Sequence, residues 1–300
     1  MSVWDSMVAE GFLDHDVSLG PLTTYKLGGT ARYLATVEDE GALERIARHL
    51  AMEPVDVVVF GRGSNILVSD EGFDGLVVRL GAGFSWVRIG ESVSAGSATP
   101  LPLLAREAAK AGRRGLEFFV GIPGSVGGAI RMNAGCHGSE TRDRLVSATV
   151  IDLATGTSSR FGPSDLDLSY RHSRLGPLEI VTRAEFSTEP GERAAGEKLI
   201  RDITRWRKEH QPGGVLSAGS VFKNPPGDSA GRLIDEAGLK GLAIGGARVS
   251  MLHANFIEAG PEATAADVHA LIRDVQHRLQ EMGVALEPEV RFVGRFEDDV

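Results

Sequence analysis

The sequence predicts a mixed α+β protein of two domains, and three observations support this prediction. The chain has 300 residues, of which 42% are hydrophobic and 24% charged, so it carries enough apolar material for a substantial core. Short β-branched runs bounded by glycine occur in its first part and are typical of buried strands. After Pro190-Gly191 the apolar residues mostly follow helical spacing. We therefore place a domain boundary near residues 190–196.

In the first part of the chain, predicted strands accompany one clearly marked helix. The helix is predicted over 100–111, because prolines occupy its first turn, leucines recur on one face and Gly112 follows as a stop. Four runs have the composition of strands: 55–60, 76–80, 145–153 and 179–188.

The last part of the chain carries recognisable helix starts. Apolar residues recur at helical spacing over 197–207. Ser229 is a candidate N-cap for a short helix, and Thr264 with Asp267 has the pattern of a capping box before a longer one. Between these two helices, residues 254–258 are predicted as a strand.

Charge and composition argue against several classes of function. There are 41 acidic and 32 basic residues, a net charge of −9, and no basic run that would neutralise nucleic-acid phosphates. No run of eighteen apolar residues predicts a membrane span, and the N-terminus lacks the apolar region of a signal peptide. Cys136 is the single cysteine, which fits a reducing compartment. We expect a cytoplasmic protein with no nucleic-acid, membrane or obligate protein partner.

Several standard catalytic motifs are absent. No lysine follows a glycine, as a Walker loop requires, and the histidines show no metal-ligand spacing, so no metal site is predicted. The segment GRGSNI at 61–66 lacks the third glycine of a dinucleotide fingerprint. Ser220 and Lys223 have the S-x-x-K spacing of acyl-serine enzymes, but the Asn-Pro-Pro that follows disfavours the helix which that chemistry needs.

Two glycine-rich segments, at 61–65 and 121–129, are candidate phosphate-binding loops. Successive small residues leave backbone N–H groups uncovered, and such concave turns accept phosphate oxygens without a lysine. The side chains of Ser64 and Asn65 add possible donors. The same pattern also fits two tightly packed turns, and spacing alone does not separate the two interpretations.

A series of family-specific motifs extends in order through nearly the whole chain. The most specific are TTYKLGG at 23–29, GRGSN at 61–65, YRHS at 170–173, AGSVFKNP at 218–225, HANF at 253–256 and LEPEVRF at 286–292. With these motifs the chain resembles the UDP-N-acetylenolpyruvoylglucosamine reductase (MurB) family, flavoenzymes that make UDP-N-acetylmuramate for bacterial peptidoglycan. The segment 170–205 has no room for the extra substrate-covering loop of one subgroup, so the chain resembles the shorter, second type.

The resemblance implies a fold and its cofactors. It implies an FAD-binding domain of the vanillyl-alcohol-oxidase (PCMH) type, made of two α/β subdomains with the flavin between them, followed by a smaller α+β substrate-binding domain. On this basis we expect an N-terminal segment at 1–22, the FAD domain at 23–192 with its subdomains divided near 80–100, and the substrate domain at 193–300. FAD is expected to be noncovalent, with NADPH as co-substrate.

The resemblance also assigns both glycine-rich segments to the FAD pyrophosphate. The positions carried over are Gly61, Gly63, Ser64, Asn65, Ile122, Pro123, Gly124, Gly128, Asn133, Ala134 and Gly135. The chain departs from many relatives at Cys136-His137, where they carry Ala-Tyr. A Cys-His pair beside a flavin suggests a covalent link like that of sister oxidases, but the resemblance favours noncovalent FAD.

The reaction implied by the resemblance has three catalytic residues. NADPH reduces FAD, flavin N5 gives hydride to C3 of the enolpyruvyl group, and Ser220 gives a proton to C2, with Lys223 as a possible helper. Arg171 and Glu289 bind the carboxylate and stabilise the intermediate. Arginine can do so bidentately, whereas Glu289 must be at least partly protonated beside another carboxylate. Glu287 shares a strand face with Glu289, and we choose Glu289 because the family's acid precedes Val-Arg.

Each of these three residues also has an ordinary structural explanation. Ser220 fits a buried turn, Arg171 a surface ion pair and Glu289 an exposed strand position. By resemblance, the substrate-binding residues are Tyr170, Lys208, Asn224 and His253, although Lys208 also fits a solvated charge at a helix end.

Two other functions stay open at this point. One is an FAD-dependent oxidase of the same fold that uses oxygen and acts on an alcohol or lactone. The other is a catalytically silent nucleotide-sugar binder, against which the intact Arg171, Ser220 and Glu289 argue.

Overall fold

The computed structural model describes residues 2–297, which divide into two compact units. The first unit comprises 2–15, 33–62 and 75–207, and the second comprises 16–32, 63–74 and 208–297. Each unit is therefore built from stretches that are far apart in the sequence. The predicted boundary between residues 192 and 193 stays a prediction.

Seven α-helices lie within the described residues. They are α1 Val3–Ala9, α2 Glu40–Met52, α3 Leu101–Lys110, α4 Val126–Arg131, α5 Arg193–His210, α6 Ala230–Glu236 and α7 Ala265–Glu281. None of the helices in the described part of the chain is long and apolar enough to cross a membrane.

The strands of the described part are mostly short. They are β1 Asp14–Ser18, β2 Thr30–Val37, β3 Val57–Phe60, β4 Ile66–Val68, β5 Phe73–Leu80, β6 Val87–Ile89, β7 Val93–Gly96, β8 Arg113–Arg114, β9 Gly135–Cys136, β10 Ser139–Glu140, β11 Leu145–Asp152, β12 Thr157–Phe161, β13 Glu179–Phe186, β14 Glu189–Pro190, β15 Ala243–Ile244, β16 Ala247–Val249, β17 Ile257–Ala259 and β18 Arg291–Val293.

The predicted helix starts are confirmed by their capping hydrogen bonds. The Ser229 hydroxyl accepts from the N–H of Arg232 at the start of α6. Thr264 and Asp267 form a reciprocal capping box at the start of α7. The start of α2, which the sequence analysis did not predict, is held by the Asp39 carboxylate, which accepts from the N–H of Ala42. These bonds satisfy N–H groups that a helix cannot satisfy internally.

The first unit contains a five-stranded antiparallel sheet with the order β12-β11-β13-β7-β6. Helices α3 and α4 pack on one face of it, over a core that includes Leu104, Phe119, Ile130 and Val150. A second sheet, of order β1-β2-β5-β3, has β3 and β5 parallel. In the five-stranded sheet the inner strands β11 and β13 are buried at most positions, whereas the edge strand β12 is mostly exposed.

The second unit packs α7 over the three-stranded sheet β15-β16-β17, and β4 pairs in parallel with β18. Tyr25 lies in this core, and its hydroxyl donates to the carbonyl of Ile257 at 3.2 Å. Burial raises the pKa of Tyr25 above its usual range, so the phenol stays neutral. The TTYKLGG motif is thereby anchored within the second unit.

The strand predicted at 254–258 is only partly right. β17 runs from Ile257 to Ala259, and the residues before it form a turn in which the N–H of Phe256 donates to the carbonyl of His253. At this turn the Asn255 side chain forms hydrogen bonds with the backbone N–H and carbonyl of Phe222. The other four predicted strands are confirmed, with small shifts at their ends.

Candidate active site

The two glycine-rich segments meet within the first unit. Gly61 directly follows β3, and a Cβ built on it would lie 2.8 Å from the Ser125 hydroxyl, which belongs to the second segment. A side chain at position 61 would therefore require the Ser125 hydroxyl to move. The close approach brings two predicted FAD-binding regions together.

The second segment forms the start of α4 and leaves part of it open. Ser125 is the N-cap residue, and its side chain makes no capping hydrogen bond. The N–H groups of Val126 and Gly127 donate to the carbonyls of Thr99 and Ser97. Gly128 is exposed, and a Cβ built there would meet nothing closer than the Ser125 hydroxyl at 3.7 Å. Within the first turn of α4, Gly128 is therefore the position where the backbone is exposed to a ligand, and the N-terminal end of a helix suits an anion.

Ile122, Pro123 and Gly124, the remaining cofactor-binding residues predicted in this segment, precede α4. Ile122 packs against the core of the first unit, Pro123 is exposed and Gly124 is buried. Their contribution to FAD binding stays a prediction.

The backbone conformation and close packing at position 63, within the second unit, require a glycine there. Its φ is +61°, a left-handed conformation that favours glycine, and a Cβ there would lie 2.3 Å from the carbonyl oxygen of Leu22. The carbonyl of Gly63 accepts from the N–H of Thr24 at 3.0 Å. Gly63 thus packs the GRGSN loop onto the TTYKLGG loop, and Ser64, partly buried, follows it.

Asn65 forms hydrogen bonds with the backbone at Glu289 and Arg291. Its amide nitrogen donates to the Glu289 carbonyl at 2.9 Å, and its own carbonyl accepts from the N–H of Arg291 at 3.0 Å. A residue predicted to bind the cofactor therefore also holds the segment just before β18, which carries the predicted acid.

Asn133 is buried and uses its side chain on the protein. Its amide nitrogen donates to Glu140 and to the carbonyl of Ser169, both at 3.0 Å, and its amide oxygen accepts from the N–H of Arg142 at 2.9 Å. Its φ of +40° is left-handed, a conformation that asparagine tolerates. In the FAD-binding run predicted at 133–135, Asn133 therefore has its side chain already engaged, and its N–H donates to the carbonyl of Ile130 at 3.2 Å.

Arg171 lies beside this run in the first unit. Its guanidinium donates to the carbonyl of Gly135 at 3.3 Å and lies 4.9 Å from the ring centroid of Tyr170, which is 42% exposed. A φ of +54° shows that Arg171 is held in a left-handed turn. The turn is closed by reciprocal backbone hydrogen bonds between Ser169 and His172, which hold Arg171 in this conformation.

Cys136, next to Gly135, is a protonated thiol. Burial raises its pKa to about 11, against the opposing fields of Arg207 and Arg171, and its Sγ lies 3.1 Å from the carbonyl oxygen of Phe118. A thiol with this pKa is a poor nucleophile near neutral pH. The structure thus gives no support to a covalent flavin link at this residue.

The segment that carries Ser220 is held by Asn255. The N–H of Val221 donates to the Asn255 carbonyl at 2.9 Å. The Asn255 side chain then accepts from the N–H of Phe222 at 2.9 Å and donates to the carbonyl of Phe222 at 2.8 Å. Asn255 is buried, so these bonds are shielded from water. Asn255 belongs to the HANF motif, but the motif alone does not indicate this structural role.

Glu289 lies against the other edge of the Ser220 segment. The N–H groups of Glu289 and Val290 both donate to the carbonyl of Val221, at 2.7 and 3.3 Å. Two successive donors on one carbonyl are the pattern of a β-bulge, a device that redirects side chains beside active sites. Since Ser220 directly precedes Val221, the structure brings Ser220 and Glu289 onto adjacent backbone segments of the second unit. Arg171 belongs to the first unit.

Lys223 pairs with Glu287. Its Nζ lies 2.6 Å from the Glu287 carboxylate, and its N–H donates to the Glu287 carbonyl at 2.9 Å. The Glu287 side chain is 70% exposed. Glu287 therefore has a cation of its own near solvent, whereas Glu289 is partly buried, so tertiary structure separates two acids that strand alternation could not.

Of the predicted substrate residues, His253 has the most defined environment. Its Nδ1 accepts from the N–H of Asn255 at 3.2 Å, and burial lowers its pKa, so the ring is neutral with a donor at Nε2. Asn224 accepts from the N–H of Ala230 at the start of α6. Lys208 is exposed near the end of α5, where its ordinary explanation as a solvated charge still fits.

Comparison with known proteins identifies the family. Residues 31–162 match the family described as FAD binding domain, and residues 211–293 match UDP-N-acetylenolpyruvoylglucosamine reductase, C-terminal domain. The UDP-N-acetylenolpyruvoylglucosamine reductase of Acidiphilium cryptum is 44% identical over 98% of this chain and 96% of its own length. The chain belongs to the UDP-N-acetylenolpyruvoylglucosamine reductase family.

Other relatives of this reductase family agree. The reductase of Caulobacter vibrioides is 44% identical over 96% of each chain. The crystal structure of the reductase (MurB) from Thermus caldophilus matches with a TM-score of 0.82 and 42% identity, over 93% of this chain and 98% of that one. The predicted fold class and the predicted FAD cofactor are therefore confirmed. The individual site residues stay predictions.

Proposed function

We propose that this protein reduces the enolpyruvyl group of UDP-N-acetyl-3-O-(1-carboxyvinyl)glucosamine to give UDP-N-acetylmuramate for peptidoglycan, with NADPH as the reductant. The observation that carries this proposal is the 44% identity to a reductase of that name over 98% of this chain. Two further proposals follow: FAD and substrate domains at 23–192 and 193–300, and a cytoplasmic location. The family matches at 31–162 and 211–293 fall inside the two proposed domains.

The residues present fit FAD. The first unit offers exposed backbone at Gly128 near the start of α4, and Gly61 lies close to the Ser125 side chain at the same helix start. These residues would hold the pyrophosphate, because backbone N–H groups at a helix start bind phosphate oxygens. FAD, when bound, supplies hydride transfer to the substrate double bond.

Ser220 is proposed to give the proton to C2 of the enolpyruvyl group. A hydroxyl can do so only if it is held at a fixed position, and the segment that follows it is fixed on one edge by Asn255 and on the other by Glu289. Positioned proton transfer contributes about 10² to 10⁴ in rate. Removing the Ser220 hydroxyl should therefore slow turnover without releasing the flavin.

Arg171 and Glu289 are proposed to bind the substrate carboxylate and to stabilise the charge that develops on it. Preorganised donors aimed at developing charge act strongly where water is excluded. The left-handed turn at Arg171 and the double hydrogen bond at Val221 hold the two backbones in place, so little reorganisation is needed on reaction.

Tyr170, Lys208, Asn224 and His253 are proposed to bind the UDP-sugar. The neutral His253 ring offers an Nε2–H donor, and Lys208 offers a cation for a phosphate. Since these contacts serve binding more than chemistry, Lys208→Ala should raise the KM for the UDP-sugar far more than it lowers kcat. An unchanged KM would remove Lys208 from this group.

An anaerobic half-reaction experiment tests the proposed function. The yellow holoenzyme is reduced with NADPH in the absence of oxygen, and the UDP-enolpyruvyl sugar is then added. Return of the oxidised flavin spectrum is the expected result, and Ser220→Ala should be reduced normally but reoxidised slowly. Reoxidation by air alone, with no response to the sugar, would instead indicate an oxidase and overturn the proposal.

A further inference from the structure

The outward face of the five-stranded sheet in the first unit holds a cavity of about 220 Å³. Three short hydroxyl-bearing residues line it, Ser94, Ser147 and Thr149, and the hydroxyls of Ser147 and Thr149 accept hydrogen bonds from Arg160 and Arg183. The strand register explains the hollow, because Thr149 on β11 is paired on one side with Arg160 of β12 and on the other with Arg183 of β13. Short side chains between long ones leave a depression in the sheet surface.

Trp86 closes one side of the cavity. Arg183 is paired with Gly96 of β7, and a Cβ at Gly96 would lie 2.8 Å from the indole Nε1 of Trp86. The indole thus occupies the space that a side chain at position 96 would fill. The Arg88 guanidinium lies 4.7 Å from the Trp86 ring centroid, a cation–π contact that orders it at the rim.

Cations outnumber anions in this cavity. Glu185 accepts a hydrogen bond from Arg160 at 2.7 Å, which neutralises one arginine. Arg183 donates only to the hydroxyl of Thr149, at 3.1 Å, and Arg88 rests on the indole. Within residues 2–297, neither Arg88 nor Arg183 has a carboxylate partner. Two uncompensated guanidinium groups face one cavity in a chain of net charge −9.

The cavity is separate from the cradle, the start of α4 where the FAD pyrophosphate is proposed to bind. Residues of β11 alternate between the two faces of the sheet, so Ser147 and Thr149 line the cavity, while Ala148 and Val150 belong to the core that packs against α4. The start of α4, which forms the cradle, therefore lies on the opposite face of the same sheet.

We propose that this cavity binds a small phosphorylated metabolite, with its phosphoryl oxygens held by Arg88 and Arg183 beside the hydroxyl-bearing residues. Guanidinium groups form short, charge-assisted hydrogen bonds to phosphate, and their planar donors suit its oxygens. Drug-sized ligands occupy pockets of roughly 300–1,000 Å³, so a cavity of about 220 Å³ suits a small ligand.

Isothermal titration calorimetry tests the proposal on the FAD-loaded protein, with inorganic phosphate as the probe in a low-salt buffer. The wild type should bind phosphate saturably, and Arg183→Gln and Arg88→Gln should each weaken binding at least tenfold, because each removes one charge-assisted contact. Arg48→Gln is the matched control, since Arg48 is an exposed arginine on α2 away from the cavity. It should leave the phosphate affinity unchanged.

Two outcomes would overturn the proposal. One is the absence of saturable phosphate binding tighter than about 10 mM in the wild type. The other is binding that both cavity variants retain, which would place the phosphate at another site. Thermal unfolding of each variant shows that its fold is intact, and Thr149→Val supplies a second probe that removes only the Thr149 hydroxyl and should also weaken binding.

Discussion

Replacing Gly128 with alanine tests whether the glycine-rich segment at 121–129 binds the FAD pyrophosphate or is only a tightly packed turn. A Cβ at this position would meet nothing closer than the Ser125 hydroxyl at 3.7 Å, and Gly128 lies inside α4. Alanine is favoured over glycine in a helix by roughly 0.5–1 kcal/mol. Gly128→Ala should therefore leave the FAD-free protein as stable as the wild type or slightly more stable.

The effect on FAD should have the opposite sign. If the uncovered backbone at the start of α4 holds the pyrophosphate, the added methyl group stands where a phosphate oxygen must approach. Loss of one charge-assisted hydrogen bond costs about 1.5–3 kcal/mol, which corresponds to FAD binding about ten- to a hundredfold weaker. Urea unfolding of the apoprotein and quenching of flavin fluorescence on binding measure the two quantities separately.

Two other glycines serve as controls. Gly41 lies exposed in the first turn of α2, so Gly41→Ala should leave FAD affinity unchanged. At Gly127 a Cβ would lie 2.0 Å from the Ser97 hydroxyl, so Gly127→Ala should destabilise the protein itself. Wild-type FAD affinity in Gly128→Ala would refute the cradle and leave tight packing as the explanation of this loop.

Three further predictions concern buried polar groups of the two units. Asn255→Ala leaves the N–H and carbonyl of Phe222 without the Asn255 side chain, and at about 1–3 kcal/mol for each group the free energy of unfolding, measured in urea, should fall by about 2–6 kcal/mol; a loss below 1 kcal/mol would contradict this role. Burial raises the pKa of Cys136 from 9.0 to about 11, so the unfolded chain loses this proton first and stability should decrease between those pH values. Cys136→Ala should remove that part of the pH dependence, and acid precipitation should release the flavin from the wild type; colour retained by the precipitate would show a covalent link. Burial lowers the pKa of His253, so its contribution to stability is present above pH 6.5 and is lost as the pH falls further. In His253→Gln the melting temperature should depend less on pH below 6.5. An unchanged pH dependence would show that another group is responsible.

Local signals in the sequence were sufficient for many elements. The cap at Ser229 and the capping box at Thr264 and Asp267 occur as predicted, because a capping bond joins residues three positions apart and needs no distant partner. The predicted strand at 254–258 began too early, because Asn255 bonds to Phe222, a residue 33 positions away. No local pattern contains that pairing.

In the candidate site, too, local motifs were predictable from the sequence and contacts between distant segments were not. The motifs around Ser220 and Glu289 were found in the sequence, and the close approach of Gly61 to Ser125 was not. Asn65 was assigned to the cofactor from its motif, whereas its hydrogen bond to the Glu289 carbonyl spans 224 positions. The cavity beside Arg183 depends on the register of five strands, which spacing along the chain does not reveal.

By itself the sequence determined the family, the fold class, the flavin cofactor and the residues able to donate a proton or bind an anion, because these depend on residue types in a fixed order. Tertiary structure alone decided which of two acids is partly buried. Glu287 reaches Lys223 near solvent, while Glu289 is fixed by Val221 and Asn65. The reason is physical: burial and hydrogen-bond partners come from segments that are distant in sequence, and the two acids are alike until those segments pack around them.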